Sequence, residues 1–246
     1  MMGLGDFLMA TADAKRLNEQ TGKPVVVLGR NGAIQWSEVF DHNPRLRRSP
    51  VNCAVLRNGP GMRPYIAGRT DHKWTWRPGQ VKGPGEIYLH AKEKDFGASV
   101  AGMVVVEPNV KNNGHRNKAW PFERWQALVD LKVAPMVQCG VSGTRWLDGV
   151  KRVETNQFRQ ALAVLSVSRG FVGTEGAMHH AAAALSVPSV VLWSEFISPA
   201  VTGYEAQRNL RHAGEPCGCR VPCEGCAASM DAISVEEVAD NLRAIL

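Results

Sequence analysis

Apolar side chains at Phe7, Ala10, Ala14 and Leu17 fall on one side of a helix that the pattern carries to about Gln20, with Gly22 as its stop. Val25-Val-Val-Leu28 then predicts a strand, Trp36–Phe40 a helical turn, and Cys53–Leu56 and Glu86–His90 two further strands. Asn58-Gly-Pro-Gly61 and Arg77-Pro-Gly79 mark long loops between them. From Met103 the pattern becomes regular: a buried strand to Glu107, a polar loop, and a helix entered at Pro121 with Phe122, Trp125, Leu128 and Val129 on one face. Strands at Met136–Gln138 and Val150–Val153 follow, then a helix with Phe158, Ala161, Leu162 and Leu165 in register. Phe171–Thr174 is a short strand, Ala177–Leu185 an alanine-rich helix, and Val190-Val-Leu-Trp193 an unbroken apolar run, as in a parallel strand covered on both faces. The last helix opens on a capping box, Ser234 to Glu237, with Val235, Val238, Leu242 and Ile245 on its apolar face. Alternation of strand and helix is the signature of an α/β doubly wound sheet. The polar stretch His90–Val100 divides the chain into domains at 1–98 and 99–246.

A chain of 246 residues accommodates one large or two small domains, and 44% hydrophobic with 21% charged residues is ordinary globular composition. No apolar run approaches the roughly 18 residues of a membrane span, and the start lacks the basic and apolar regions of a signal peptide, so a cytoplasmic protein is expected. The net charge of +6 favours anionic ligands and would tolerate an anionic membrane surface. The basic residues are dispersed, which argues against a dedicated nucleic-acid stripe.

Candidate chemistry sits at three turns. Gly173-Thr-Glu-Gly176 joins a strand end to a helix start, where open α/β sheets bind ligands and free N–H groups attract phosphate. Pro108–Ala119 is a basic loop in the same strand-to-helix position, offering Lys118, Lys111 and Arg116. Gly3-Leu-Gly-Asp6 precedes the first helix, and Asp6 is either a helix cap or a positioned base. Tyr65, Trp74 and Trp76 with Arg63, Arg69, His72, Lys73 and Arg77 form an aromatic-basic segment that would suit a sugar or a base, or simply pack as loop.

Thr174-Glu-Gly-Ala-Met-His179 with Ala181–Leu185 resembles the nucleotide-sugar motif of glycosyltransferase family 9, the ADP-heptose:lipopolysaccharide heptosyltransferase family. Thr174 stands where that family has aspartate, and the carboxylate comes one place later as Glu175. Lys118-Ala-Trp-Pro121 resembles the family's Lys-x-Trp-Pro, Ser198–Gly203 its Pro-x-x-Thr-Gly turn, and Gly3–Asp6 its first glycine turn, although the strand that normally precedes that turn is short or missing here. The resemblance implies a GT-B-like α/β fold of two Rossmann-like domains with parallel sheets, the N-terminal one reduced, and a final helix that often crosses back to the first domain. It implies an inverting transfer of a sugar from a nucleotide-sugar donor to an acceptor hydroxyl, with no metal required. Asp6 would be the general base, and Lys118 with the Gly176 N–H would stabilise the departing diphosphate with help from His179. Thr174, Glu175, Ala177, Lys111 and Arg116 would complete the donor site. The acceptor would be a glycan or another hydroxyl compound. The missing strand and displaced acid leave open a non-catalytic nucleotide-binding protein on the same fold.

Adjacent residues on a helix point about 100° apart, so His179 is expected to face the nucleotide and His180 to be packed away. Cys217, Cys219, Cys223 and Cys226 lie within one short segment. Four thiolates can bind zinc tetrahedrally as a structural site. Reduced thiols, a disulfide and a redox role remain open, although a cytoplasmic setting disfavours a stable disulfide. A metal-dependent nucleic-acid module built on this segment is a weaker reading.

Overall fold

A computed structural model of the chain describes residues 3–59, 61–81, 83–110 and 116–246. Helix α1 (Leu4–Thr21) opens the N-terminal lobe and ends at Gly22 in the left-handed region, as the pattern requires. Strands β1 (Val25–Leu28) and β2 (Ala54–Arg57) pair in parallel as a two-stranded sheet. Between them Glu38–Phe40 makes a 3-10 turn capped by the Ser37 hydroxyl, which accepts from the Val39 N–H. The aromatic-basic segment is an antiparallel hairpin of β3 (Ile66–Arg69) and β4 (Trp74–Trp76), not loop.

The expected strand at Glu86–His90 is extended but joins no sheet. Its alternation is real, since Ile87 and Leu89 pack on the core. Its polar groups instead meet side chains: the Glu86 N–H donates to Thr11 Oγ1, and the Glu86 carboxylate pairs with Arg45 at 3.0 Å. The stretch beyond it, expected to be a polar linker, folds as helix α2 (Ala91–Gly97) and packs on α4 (Phe158–Ser166) of the C-terminal lobe. Phe96 of α2 is exposed, so no apolar stripe marked this helix. A charge holds it: Arg159, buried on α4, binds Glu93 in a two-pronged pair and donates to the Tyr88 and Glu38 carbonyls at 2.7 and 2.9 Å.

The C-terminal lobe is a six-stranded sheet formed by β5 (Val104–Glu107), β6 (Met136–Gly140), β7 (Lys151–Glu154), β8 (Gly170–Thr174), β9 (Ser189–Trp193) and β10 (Arg208–Arg211). Its order is β10-β9-β8-β5-β6-β7, every neighbouring pair parallel. The chain winds outward from β5 through β6 and β7, then restarts at β8 on the other side. The switch point therefore lies between β5 and β8, the place where a doubly wound sheet opens a crevice at its carboxyl edge.

Successive residues of β5 serve opposite faces. Val104 and Val106 join the core under α3 (Phe122–Asp130) and α8 (Val235–Arg243), while Val105 joins the core shared with α1, α4 and α5 (Ala177–Ala184). Each such buried side chain contributes about 1.5–3 kcal/mol. The second core also holds Val25, Val27 and Phe40, so one apolar body runs through both lobes. The final helix does not cross to the N-terminal lobe: α8 lies on α3 and β9. Two short helices complete the lobe, α6 (Pro199–Thr202) and α7 (Glu224–Asp231).

Candidate active site

At the switch point Glu107 on β5 faces Gly173 on β8, and β8 continues through Thr174 into the start of α5. Burial pushes the Glu107 carboxyl up to about 7, against the hydrogen bond it accepts from the Asn109 N–H, which lowers it. His179 folds back across the turn so that its Nδ1 accepts from the Gly176 N–H at 2.9 Å. The ring proton is then on Nε2, which donates to the Thr202 carbonyl at 3.2 Å. Burial lowers the His179 pKa and keeps the ring neutral. Both ring nitrogens are thus engaged within the protein, and so is the Gly176 amide. The Gly176 N–H expected at the diphosphate holds the turn instead. Ala177 and Met178 stand in the first turn of α5, where N–H groups have no intrahelical acceptor. The Ser198–Gly203 motif forms α6 and supplies the Thr202 carbonyl that fixes His179.

Lys118 and Glu175 form an ion pair across the switch point, one from the loop after β5 and one from the loop after β8. The Lys118 ammonium also lies 4.9 Å from the Phe196 ring centre. Thr174 is buried beside them, whereas Arg116 is exposed at the start of a 3-10 turn, and Lys111 lies outside the described residues. Asn117 fixes that turn. Its amide donates to the Cys219 and Val221 carbonyls at 2.9 and 2.8 Å and accepts from the Cys223 N–H at 3.1 Å. Immediately after Lys118, an open pocket of about 440 Å³ is lined by Pro108, Ala119, Trp120, Phe122 and Arg145 among others, with the Arg145 guanidinium 3.7 Å from the Phe122 ring centre.

Asp6 comes to this edge from the other lobe. As the third residue of α1 it reaches back to the backbone of Gly3, the N-cap, as a capping side chain does. Its Oδ1 also accepts from the Tyr65 hydroxyl at 2.7 Å. Burial raises the Asp6 pKa, against the Tyr65 hydrogen bond and the Arg63 charge, which lower it; Glu175 adds a further upward push. Arg63 is itself buried and pairs with Asp13 at 2.9 Å. The helix start approaches closely: a Cβ on Gly5 would lie 2.8 Å from the His180 ring and 3.7 Å from the Ala177 Cα. The structure therefore brings Asp6, Lys118, Thr174, Glu175 and Ala177 to one place. His180 is buried with Nδ1 2.8 Å from the Tyr204 hydroxyl, and its ring centre is 3.9 Å from that of His179. The expected division between a ligand-facing His179 and a packed His180 gives way to two adjacent buried rings, tilted by 39° to each other. Glu175, His179 and His180 have ligand atoms within 4.8 Å of one another. Lys118 already neutralises Glu175 and both His179 nitrogens are bonded, so these three form a polar support rather than a cation cage.

Arg63 and Tyr65 belong to the aromatic-basic segment. Tyr204 and Glu107 went unread in sequence. Glu107 had one signal, a carboxylate closing an otherwise apolar strand at the ligand edge; Tyr204 had only its place after the Thr202-Gly203 turn. Three of the four cysteines converge, and the fourth adjoins them. The sulfurs of Cys217, Cys219 and Cys223 lie within 4.8 Å of one another, and Cys226 Sγ is 3.4 Å from Cys217 Sγ.

Two Rossmann-like lobes, the first reduced to a two-stranded parallel sheet, with candidate groups at the carboxyl edge of the second, define a GT-B-like α/β fold. Among solved structures, the chain has the fold of glycosyltransferase family 9 and of heptosyltransferases. It is similar to the glycosyltransferase family 9 protein from Veillonella parvula DSM 2008, with a TM-score of 0.68 and 13% identity over 100% of this chain and 94% of that one. It is similar to the iron-containing dodecameric glycosyltransferase TibC from enterotoxigenic E. coli H10407, with a TM-score of 0.65 and 10% identity over 99% and 73%. E. coli ADP-heptose lps heptosyltransferase II aligns with a TM-score of 0.51 and 17% identity over 65% of this chain and 53% of that one, so the aligned part spans about half of that protein. No protein-family model matches the sequence, and no curated protein matches it significantly. No described helix is long and apolar enough to cross a membrane.

Proposed function

We propose that the protein transfers a sugar from a nucleoside-diphosphate sugar, of the ADP-heptose kind, to an acceptor hydroxyl with inversion. The observation that carries this reading is the Asp6 carboxylate, half-buried beside the donor-side turn while belonging to the opposite lobe. In a single displacement the acceptor oxygen attacks the anomeric carbon as the bond to the diphosphate breaks. Asp6 takes the hydroxyl proton, and the Tyr65 hydroxyl and the Arg63 charge favour its anion. The charge that develops is on the leaving diphosphate, and electrostatic stabilisation there is the largest contribution such a site can make. Lys118 and the first-turn amides of α5 are aimed to supply it. Glu175, released from Lys118 when the diphosphate arrives, can accept from a ribose hydroxyl, and the pocket at Phe122 and Arg145 has room for the base. His179 acts by position, locking the Gly176 turn. Two of the similar structures support the donor class, one named for ADP-heptose and one, TibC, in complex with ADP-D-beta-D-heptose.

The test is incubation of the purified protein with a panel of nucleotide sugars, with and without candidate glycan acceptors, and measurement of released nucleoside diphosphate. Release from one donor, accelerated by an acceptor, supports transfer. Tight nucleotide binding with no release on any pair would make the protein a nucleotide-binding protein on a transferase fold.

A further inference from the structure

The cysteine segment touches more of the molecule than its size suggests. Between Cys217 and Cys219 the chain turns at Gly218, whose φ of +63° suits glycine, and a Cβ there would lie 2.0 Å from the Trp74 carbonyl. The Cys219 N–H points back at Cys217 Sγ at 3.4 Å. Cys223 is the N-cap of α7, and Cys226 lies in that helix's first turn, where the dipole favours negative charge. A tetrahedral ion with bonds to sulfur of about 2.3 Å holds its sulfurs about 3.8 Å apart. The Cys217–Cys223 and Cys217–Cys226 separations are 3.9 and 3.4 Å.

Two other segments hang on this knuckle. The hairpin is bonded to it by the Trp74 N–H to the Gly218 carbonyl at 2.8 Å and by the Arg220 N–H to the His72 carbonyl at 2.8 Å. The turn carrying Lys118 is bonded to it through all three Asn117 contacts.

We propose that Cys217, Cys219, Cys223 and Cys226 bind one thiolate-preferring metal ion, zinc or iron, and that the ion fastens the β3–β4 hairpin and the Asn117–Lys118 turn to the C-terminal lobe. A tetrahedral all-sulfur ligand set suits those metals. With every coordination position taken by protein, the site is structural rather than reactive. Binding deprotonates the thiols and converts metal affinity into local order. The part of the inference that reaches the donor site rests on the reading of Lys118 given above; the metal site and its two fastenings do not.

The full-length protein, purified under reducing conditions without chelator, should contain about one equivalent of metal by elemental analysis. Cobalt added to metal-free protein should give the visible absorption of a tetrahedral thiolate complex. Cys219→Ser and Cys226→Ser should lose the metal, and Cys53→Ser should keep it. Because those two variants can fail to fold, the decisive measurement is on wild type. Removing the metal with a chelator should speed amide exchange more than about tenfold at 66–76 and 116–118 and leave β5 and β8 protected, with zinc restoring the first state. Metal-free protein that takes up neither zinc nor cobalt overturns the site, as does mass evidence of a disulfide among the four. Bound metal whose removal leaves the hairpin unchanged, or deprotects the whole sheet equally, overturns the fastening.

Discussion

The two parallel sheets are built by different means. In the C-terminal lobe the sheet is its own scaffold: β5, β8 and β9 are buried, paired on both sides, and covered by helices on both faces. In the N-terminal lobe β1 and β2 are only a pair, packed with α1 on the shared apolar body, and three outlying segments are each held by individual polar contacts. Arg159 anchors α2, Arg45 anchors the Glu86 segment, and the Gly218 knuckle anchors the hairpin. A sheet of the first kind tolerates the loss of one contact because the others share the load. A lobe of the second kind can lose a whole segment with a single side chain. The candidate site combines the two, with the candidate donor groups on the rigid sheet edge and the candidate base and its Tyr65 partner on the pinned lobe.

The comparison breaks most visibly at Arg159. Arg159→Met removes a buried guanidinium and leaves Glu93 and two carbonyls without their partner, and is expected to cost about 3–5 kcal/mol. Denaturant unfolding checks it, and a loss below about 1 kcal/mol would show that the N-terminal lobe does not depend on such contacts. Lys118→Ala should weaken nucleoside-diphosphate binding by about 1.5–3 kcal/mol, the worth of a charge-assisted contact, and should also lower the melting temperature because it leaves the Glu175 carboxylate without its partner. Lys151→Ala, on an exposed edge-strand residue, should leave binding unchanged, and matching calorimetric titrations for both variants would remove the basic loop from the site. Gly218→Ala forces a Cβ against the Trp74 backbone and should cost about 1–3 kcal/mol, with faster proteolysis confined to the hairpin.

Acid should separate the lobes more gently. His179 and His180 have pKa values lowered by burial, so the folded state binds fewer protons than the unfolded chain. Their effect is a loss of stability as pH falls below about 6.5, the unfolded value. Glu93 is the opposite kind of group: Arg159 holds its carboxyl at about 2, below its ordinary 4.5. Its contribution is present above 4.5 and lost as pH falls toward 2. Glu107, held at about 7, opposes the histidine loss between pH 7 and 4.5, so the clear window in thermal melts across pH is that of Glu93, and Arg159→Met should remove it.

The same contrast decides what could be read from sequence. Val104–Val106 and Val190–Leu192 are apolar runs because both faces are buried, and they were legible for that reason. Ser234 caps α8 as its spacing implied, with the Glu237 N–H donating to its hydroxyl at 3.0 Å. Helix α2 was not legible, since Ala91-Lys-Glu-Lys-Asp95 carries no stripe and its anchor is a charge on a distant helix. The hairpin was hidden because its short strands are completed by Gly218, far away in the chain. At the site, residue types were legible and roles were not. The histidine at the donor motif was visible, but its engagement with Gly176 and Thr202 depends on the return of α6. Asp6 was ambiguous between cap and base, and in the structure its carboxyl meets both the Gly3 backbone at the helix start and the Tyr65 hydroxyl, which no sequence pattern announced.

The central claim is that both lobes contribute to one reaction, and Asp6→Asn tests it most directly. Asparagine preserves size, and its side-chain oxygen can still accept from the Gly3 N–H at the start of α1. Two quantities are measured on wild type and variant: ADP affinity, and the rate of ADP release from ADP-heptose with a lipopolysaccharide-core acceptor. The account predicts unchanged ADP affinity and a rate lower by about 10²–10⁴-fold, the worth of a positioned base. Equal rates for the two proteins, with transfer occurring, would contradict it.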